Sequence, residues 1–364
     1  MISTHHIKEI PFIQLLNAEG ELITSDGSDI TPDIANDFDR LRDYYQHMVL
    51  IRNLDQKIVA LQRTGQMGTY PSCLGHEAIG TIIGFQLAKE DVFVPYYRDQ
   101  AAQIARGVTM EELMLYWGGD ERGNDYQHCR EDFPVSVPIA TQLTQAIGVA
   151  SAFKIRKEER VVIVTCGDGA TSRGEFYEAL NLAGVWQLPV VVVVANNELA
   201  ISVPIDIQTA SETIAHKALA VGIRGERVDG NDAIALHSVI GKAINVARKN
   251  RGPTLIEAMT FRLSDHTTAD DASRYRSQQR LKSHWKSEPI KRLRNYLQAN
   301  NAWHEQEETT LIESCSHKID AAVSNYLGTV KETPDQLIDH LYSELPSELL
   351  SQRSQLIEKG GQPL

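Results

Sequence analysis

Residues 164–174, VTCGDGATSRG, place a carboxylate between two glycines at the point where a run of β-branched residues ends. The residues before it, RVVIVTC, are almost all apolar, which is typical of a strand buried on both faces of a parallel sheet. A second run, VVVVVANNELA at residues 190–200, ends on two asparagines. Between the runs, GEFYEALNLAGVWQ has helical periodicity, and Leu188 and Pro189 end that helix. The sequence therefore predicts a βαβ unit and an α/β fold, with a mostly parallel sheet and helices on both faces.

Asp168 and Asn197 directly follow the two predicted strands. Because the crossover makes the strands parallel, we expect both side chains at the same edge of the sheet, where open α/β sheets bind ligands. A carboxylate, an amide oxygen and the carbonyl oxygen of Leu199 suit Mg²⁺, which also takes oxygens from a bound phosphate. Gly167 and Gly169 let the backbone approach an anion, and the next helix points its free amides at it. A lone Gly-Asp-Gly is more often an ordinary turn, but two such strand ends in one βαβ unit favour a site for a metal and a diphosphate.

Composition excludes several classes of function. The chain has 364 residues, 42% of them hydrophobic, which is enough for a large buried core. With 36 basic and 48 acidic residues its formal net charge is -12, which argues against a nucleic-acid or anionic-membrane partner. The four cysteines show no CxxC pairing and the N-terminus MISTHHIKEI has no signal-peptide pattern, so we expect a cytoplasmic protein.

Three regions are predicted along the chain. Residues 1–37 are polar and rich in turn signals, as in an extended arm. Residues 38–287 carry the alternating helices and strands of the diphosphate-binding domain, beginning with a helix at residues 38–63. Residues 288–364 are amphipathic with helical spacing, which predicts a helical C-terminal region.

The order Gly-Asp-Gly, helix, strand and two asparagines resembles the thiamine diphosphate signature. The surrounding sequence is similar to the α subunit of the E1 component of 2-oxo acid dehydrogenase complexes, over nearly the whole chain. The most specific motifs are YYRD at 96–99, IATQLTQAIGVA at 139–150, GDGATSRGEFYEALNLAG at 167–184, NNELAIS at 196–202, RVDGND at 227–232 and HTTADDASRYR at 266–276. The resemblance implies a thiamine diphosphate-binding fold.

The resemblance also implies which residues hold the cofactor and its metal ion. The Mg²⁺ ligands would be Asp168, Asn197 and the Leu199 carbonyl oxygen. An arginine among the diphosphate contacts is apt, because its planar fork suits phosphate oxygens. The implied cofactor-binding residues are Tyr97, Arg98, Ile139, Asp168, Gly169, Ala170, Asn197, Leu199 and His266.

Further roles follow from the same resemblance. His266 corresponds to the catalytic-site histidine, although a histidine in a polar loop is by itself most often only solvated. Tyr275 and Arg276 correspond to a loop that orders over the site. A potassium site is implied at Ser136, Thr141 and Gln142.

The cofactor chemistry implies partner chains. In the family, a glutamate from the β subunit hydrogen-bonds the aminopyrimidine ring, and this chain has the length of the diphosphate-binding half alone. The resemblance therefore implies an E1 β subunit in a heterotetramer of two α and two β chains. An E2 lipoyl acyltransferase would accept the acyl group.

Two substrates and two other classes of protein are open at this point. Asp168 and the stretch QTASETIAHKALAVGI favour pyruvate, whereas SVPIATQ and HTTADD favour a branched-chain 2-oxo acid. A non-catalytic scaffold subunit would bind neither thiamine diphosphate nor Mg²⁺. A Rossmann dehydrogenase would need a third glycine that GDGATSRG lacks at the required spacing. We expect an acetyl-transferring pyruvate dehydrogenase subunit.

Overall fold

A central parallel sheet organises the molecule. The computed structural model describes residues 9–23, 32–331, 333, 335–339 and 341–359. Six strands form the sheet, in the order β1-β7-β8-β4-β3-β2, and a separate two-stranded antiparallel hairpin consists of β5 and β6. The strands are β1 Phe12–Ile13, β2 Val92–Val94, β3 Val162–Gly167, β4 Val190–Asn196, β5 Leu199–Ala200, β6 Val203–Pro204, β7 Arg224–Asp229 and β8 Thr254–Met259.

Helices cover the sheet and form most of the C-terminal region. Several begin at side chains that accept hydrogen bonds from free backbone amides, such as Asp37 before the first helix and Asp232 before the ninth. The helices are α1 Phe38–Arg63, α2 Glu77–Gln86, α3 Gln100–Arg106, α4 Met110–Trp117, α5 Thr141–Arg156, α6 Gly174–Trp186, α7 Ile205–Gln208, α8 Lys217–Ala220, α9 Ala233–Arg248, α10 Gln278–His284, α11 Pro289–Ala299, α12 Glu305–Gly328, α13 Gln336–Asp339 and α14 Ser347–Lys359.

The βαβ unit predicted from the opening motif is confirmed. β3 and β4 pair in parallel, with Val162 opposite Val190 and Gly167 opposite Ala195. α6 lies between them in sequence and packs beside α5. The two strands therefore end side by side, at the same edge of the sheet.

Alternate residues of the strands belong to two separate hydrophobic cores. Ile163, Val191 and Val193 pack with α1, α2 and α9 on one face of the sheet. Val190 and Val192 pack with α5 and α6 on the other face. All five side chains are fully buried, which explains why the runs are continuous rather than alternating. The predicted α/β class, with helices on both faces, is confirmed.

The described part of the predicted N-terminal arm is integrated into the sheet. β1 pairs in parallel with β7 at the sheet edge. Asp232 accepts hydrogen bonds from the backbone amides of Leu15 and Leu16, each at 2.6 Å. Residues 1–8 and 24–31 of the arm lie outside the described residues.

The helical C-terminal region is confirmed over its described residues and packs on the same core as the sheet. α11 and α12 contact α1, and the buried Arg292 of α11 pairs with Asp229 at the end of β7 at 2.6 Å. The boundaries proposed at residues 37 and 287 stay a prediction. None of the described helices combines the length and apolar composition that crossing a lipid bilayer requires.

Candidate functional site

A cavity of about 320 Å³ lies at the carboxyl ends of four neighbouring strands. Its walls are formed by residues that follow β2, β3, β4 and β8, together with the segment before α5. They are Tyr96, Tyr97, Arg98, Ser136, Val137, Ile139, Ala140, Gln142, Gly167, Asp168, Gly169, Ala170, Arg173, Asn197, Leu199, Ala200, Ile201, Arg262 and His266. The two strand ends singled out in the sequence therefore share one cavity.

The structure brings most of the predicted site residues together. Every predicted cofactor and metal contact lines this cavity, as do Ser136 and Gln142 of the predicted potassium set. Thr141, Tyr275 and Arg276 do not line it and lie behind its walls, where they contact lining residues. The role of each residue in binding or catalysis stays a prediction.

Asp168 is a buried carboxylate with only 1% of its surface exposed. Its Oδ2 accepts a hydrogen bond from Gln208 Nε2 at 3.0 Å. Burial raises the pKa of this carboxyl, and hydrogen bonds from Gln208 and from backbone amides oppose that rise only in part. The nearby Arg262 also lowers this pKa but forms no ion pair with the carboxylate, and no ion pair to Asp168 occurs among the described residues. A bound cation would supply the missing charge, so the site fits a metal ion.

The turn after β4 brings an amide oxygen next to this carboxylate. Glu198 and Ile201 have positive φ angles of 64° and 56°, which bend the chain sharply. Asn197 Oδ1 accepts a hydrogen bond from the Leu199 backbone amide at 3.2 Å, and the nearby backbone of Asn197 lowers the pKa of the Asp168 carboxyl. Because an amide oxygen has two lone pairs, Asn197 retains one for a cation.

The ligand set that this geometry offers is rich in oxygen. The described residues contain no group of three or more His, Cys, Asp and Glu side chains that could hold a metal. One carboxylate with an amide and a carbonyl oxygen, completed by phosphate oxygens and water, is the pattern that Mg²⁺ prefers over a protein cage.

Gly169 cannot carry a side chain at its position in the turn after β3. A Cβ atom there would lie 2.8 Å from the Cβ of Ala200, in the hairpin β5–β6. The two turns therefore pack directly on each other, and the backbone of Gly169 and Ala170 forms the cavity wall. Exposed backbone next to the start of α6 suits an anion.

His266 is held by two arginines. Arg98 Nη2 donates to the His266 carbonyl oxygen at 2.6 Å and lies 2.9 Å from Nδ1, and Arg262 Nη1 lies 3.0 Å from the same Nδ1. Since guanidinium groups only donate, Nδ1 is the acceptor and the proton of the neutral ring is on Nε2. Burial, then Arg98 and Arg262, lower the pKa of His266 to about 3. The imidazole is thus a neutral donor at ordinary pH.

The loop that follows His266 is tied to the cavity through Arg262. Arg262 Nη2 donates to the Tyr275 hydroxyl at 2.8 Å, and the Tyr275 hydroxyl donates to Asp270. Arg276 Nη1 donates to the Arg262 carbonyl oxygen and, at 2.8 Å, to the Ser264 carbonyl oxygen. Tyr275 and Arg276 therefore fix the loop rather than enter the cavity.

The residues of the predicted potassium set already form several hydrogen bonds to other protein atoms. The hydroxyl oxygens of Ser136 and Thr141 are 2.8 Å apart, and Thr141 also donates to the Pro138 carbonyl oxygen at 2.8 Å. Gln142 Nε2 donates to the Thr165 carbonyl oxygen at 3.0 Å. Gln142 Oε1 is buried and has no donor among the described residues, which leaves one oxygen for an ion.

Sequence reasoning missed several residues of this site, and three of them shape it through their contacts or their backbone conformation. Arg262 lies just beyond β8, and a strand end was the only sequence signal for it. Ile201 lines the cavity with 53% of its surface exposed, and its strained backbone has no sequence signature. Gln208 contacts Asp168 across 40 residues of chain, which only the fold could reveal.

The chain is similar to known proteins over most of its length. A family model described as "Dehydrogenase E1 component" matches residues 45–334. The chain is 38% identical over 356 residues to the 3-methyl-2-oxobutanoate dehydrogenase subunit alpha of Mycobacterium tuberculosis H37Rv, covering 95% of this chain and 96% of that protein. It is 37% identical over 341 residues to the pyruvate dehydrogenase E1 component subunit alpha of Staphylococcus aureus Mu50, covering 93% of this chain and 91% of that protein.

Proposed function

The chain belongs to the dehydrogenase E1 component family, and we propose that it is the α subunit of a thiamine diphosphate-dependent pyruvate dehydrogenase. The observation that carries the proposal is the buried Asp168 carboxylate, which lies at paired strand ends near Asn197 and forms no ion pair with any described residue. Such a carboxylate is stable when a metal ion completes it. The relative from Staphylococcus aureus supports the choice of pyruvate.

The residues at the strand ends would hold Mg²⁺ and the diphosphate. Asp168, Asn197 and the Leu199 carbonyl oxygen are the proposed metal ligands. When bound, thiamine diphosphate supplies the electron-sink chemistry of decarboxylation. The proposed contacts to the cofactor are Tyr97, Arg98, Ile139, Gly169, Ala170 and His266, all of which line the cavity.

His266 would act as a hydrogen-bond donor in the reaction. Its Nδ1 is occupied by Arg98 and Arg262, so only the Nε2 proton is left for a ligand in the cavity. A neutral donor can orient a substrate oxygen and stabilise negative charge on it without titrating near neutral pH. We assign this positioning and charge-stabilising role to His266.

The site requires a second chain. Asp168 is the only acidic residue that lines the cavity in the described structure, so the carboxyl group expected at the aminopyrimidine ring has to come from elsewhere. We propose an E1 β subunit in a heterotetramer, with an E2 lipoyl acyltransferase as acceptor of the acyl group. We further propose a cytoplasmic location, since all four cysteines are free thiols.

Potassium is a further part of the proposal. Ser136, Thr141 and Gln142 would surround K⁺ next to the cavity, with the unpaired Gln142 Oε1 as one ligand. The expected function of the ion is to hold the segment before α5, which carries Ile139 at the cavity wall.

A ferricyanide reduction assay on the co-purified α and β chains tests the function and the substrate together. We expect activity that needs thiamine diphosphate and Mg²⁺, and a higher kcat/KM for pyruvate than for 3-methyl-2-oxobutanoate. The α chain alone should be inactive. As a control that removes the proposed metal ligand, Asp168→Ala should abolish the activity.

The second candidate is a branched-chain 2-oxo acid dehydrogenase. The 38% identity to the Mycobacterium tuberculosis protein favours it. Preference for 3-methyl-2-oxobutanoate in the same assay would replace pyruvate as the substrate. No activity with either acid, together with no binding of the cofactor, would refute the proposed function.

A further inference from the structure

Gln208, the last residue of α7, connects the two turns that carry the proposed Mg²⁺ ligands. Its Nε2 donates to Asp168 Oδ2 at 3.0 Å and to the Val203 carbonyl oxygen, also at 3.0 Å. Asp168 belongs to the turn after β3, and Val203 belongs to the hairpin that follows Asn197. One amide nitrogen therefore holds the two turns in a fixed relation.

The chemistry of its partners fixes the orientation of this amide. Both Nε2 hydrogens are used, and the reverse orientation would place the amide oxygen against a carboxylate and a carbonyl oxygen. Gln208 Oε1 is then buried without a donor among the described residues, and it lies 3.8 Å from where a Cβ atom of Gly169, a residue that lines the cavity, would be. A buried acceptor in a complete site normally has a donor.

A hydrated cation next to Asp168 would meet both needs. Mg²⁺ is octahedral, so the three protein oxygens and the phosphate oxygens leave room for water, and a bound water is a hydrogen-bond donor. With Oδ2 held by Gln208, the other carboxylate oxygen of Asp168 is left for the cation. An amide oxygen next to Gly169 is placed to accept from one of the waters.

We propose that Gln208 is a positioning residue of the metal site, whose amide nitrogen sets the rotamer of Asp168 and whose amide oxygen accepts a hydrogen bond from a metal-bound water. This inference rests on the proposed function, because it assumes a cation at Asp168. The short helix α7 would then fix the position of the turn after β3 relative to the turn after β4.

Mn²⁺ binding measured by electron paramagnetic resonance tests the proposal directly. The sample is the full chain co-purified with its β partner, freed of metal and supplied with thiamine diphosphate, with Mn²⁺ as the spectroscopic probe. Gln208→Met keeps the length of the side chain and removes its hydrogen bonds. We expect the Mn²⁺ dissociation constant to rise about 10- to 100-fold, the usual effect of losing a partner that orients a ligand. The exposed Gln298 of α11 offers a matched control, and Gln298→Met should leave binding unchanged.

A second variant distinguishes two roles of Gln208. One is to position Asp168 for the metal ion, and the other is only to hold the hairpin β5–β6 in place. In Gln208→Lys the ammonium group reaches the Asp168 carboxylate and takes over the charge of the cation. We expect the metal-free protein to unfold at a higher temperature than the wild type, while Mn²⁺ binding becomes weaker than in Gln208→Met.

Opposite results would overturn the inference. If both variants lower the unfolding temperature of the metal-free protein and leave the Mn²⁺ dissociation constant unchanged, Gln208 only stabilises the hairpin and the inference is wrong. If the wild type itself binds neither Mn²⁺ nor thiamine diphosphate, the proposed function is wrong and the role of Gln208 is refuted with it.

Discussion

His266 owes its chemical state to two neighbouring arginines. Arg98 and Arg262 both meet its Nδ1, and burial together with these two charges lowers the pKa of His266 to about 3. The ring is therefore a neutral donor through Nε2. An unpaired histidine in a polar loop would titrate near neutral pH and could not hold this role.

The depressed pKa of His266 predicts a pH dependence of stability. Because the folded-state pKa of about 3 lies below the ordinary value of 6.5, the unfolded chain binds the proton more readily between these values. The contribution of His266 is complete above pH 6.5 and is lost as pH falls towards 3. In His266→Gln, whose amide oxygen can still accept from the arginines, the free energy of unfolding should fall less steeply with acidification. The free energies of unfolding are measured by urea titration at each pH. If they fall equally with acidification in both proteins, the prediction is wrong.

Ile201 is a strained residue in the cavity wall. It has φ of 56° although it is β-branched, and Arg262 Nη2 holds its carbonyl oxygen at 3.0 Å. Such a conformation costs about 1–3 kcal/mol and is usually retained for a function of the site.

Ile201→Asn should therefore make the metal-free protein more stable and the site less effective. Asparagine tolerates the left-handed region, so we expect the free energy of unfolding to rise by about 1 kcal/mol. Thiamine diphosphate affinity, measured by calorimetry, should fall. Ile207 of α7 is also exposed, at 74%, and has no positive φ, so Ile207→Asn should give no gain. If both substitutions raise the free energy of unfolding equally, relief of strain at Ile201 is not the cause.

The sequence alone predicts the position of some site residues but not of others. Asp168 and Asn197 were found because each follows an apolar strand run, and the βαβ rule places such ends together. The contacts of Arg262 and Gln208 join residues that are far apart in the chain or across a loop. Periodicity carries no information on such contacts. The side-chain positions in the turns are therefore known only from the fold.

The turns after β3 and β4 depend on each other because they pack without a gap. The strands themselves were predictable, since VVIVTC and VVVVVAN are buried on both faces and pair in register. The hairpin β5–β6 was not, because each of its strands has only two residues. It is this hairpin that limits Gly169 to glycine.

Gly169→Ala should destabilise the protein, and a second change should rescue it. The new Cβ would lie 2.8 Å from the Ala200 Cβ, and overpacking of this kind costs about 1–3 kcal/mol. Thermal unfolding of Gly169→Ala with Ala200→Gly should return towards the wild-type value, because the clash is gone. Gly148 of α5 has no atom within 4 Å of its Cβ position, so Gly148→Ala should be neutral or stabilising. Additive losses in the double variant would show that the clash is not the cause.

Besides the pairing of β1 with β7, a buried carboxylate holds the N-terminal arm to the rest of the molecule. Asp232 accepts from Leu15 and Leu16 at 2.6 Å, and it caps α9 through Ile234 and Ala235. Its four partners tie the edge strand β1 to the crossover after β7. The sequence predicted an arm but not its attachment, because the contact spans more than 200 residues.

Asp232→Ala should release the arm as well as weaken α9. We expect a loss of about 2 kcal/mol or more in the free energy of unfolding, from several hydrogen bonds to one buried group. Limited proteolysis should then cut within residues 9–23. Asp37 caps α1 at its Arg40 amide and lies on the surface, so Asp37→Ala should cost about 1 kcal/mol without new cleavage in the arm. An arm that resists protease in Asp232→Ala would refute this anchoring role.

In the proposed function, the whole molecule supplies one half of an active site. The sheet, the arm and the C-terminal helices share one large core on one face. The strand ends above this core border a cavity whose exposed lining includes Val137, Ile139 and Ile201. We propose that the neighbouring ends of β3 and β4 together bind a magnesium diphosphate.

Calorimetric titration of thiamine diphosphate into the co-purified α and β chains, with and without Mg²⁺, tests that claim most directly. The wild type should bind the cofactor only when Mg²⁺ is present, and Asp168→Asn should weaken binding by at least about tenfold because a neutral amide is a poorer Mg²⁺ ligand. Binding that is independent of Mg²⁺, or equal in Asp168→Asn and the wild type, would contradict it.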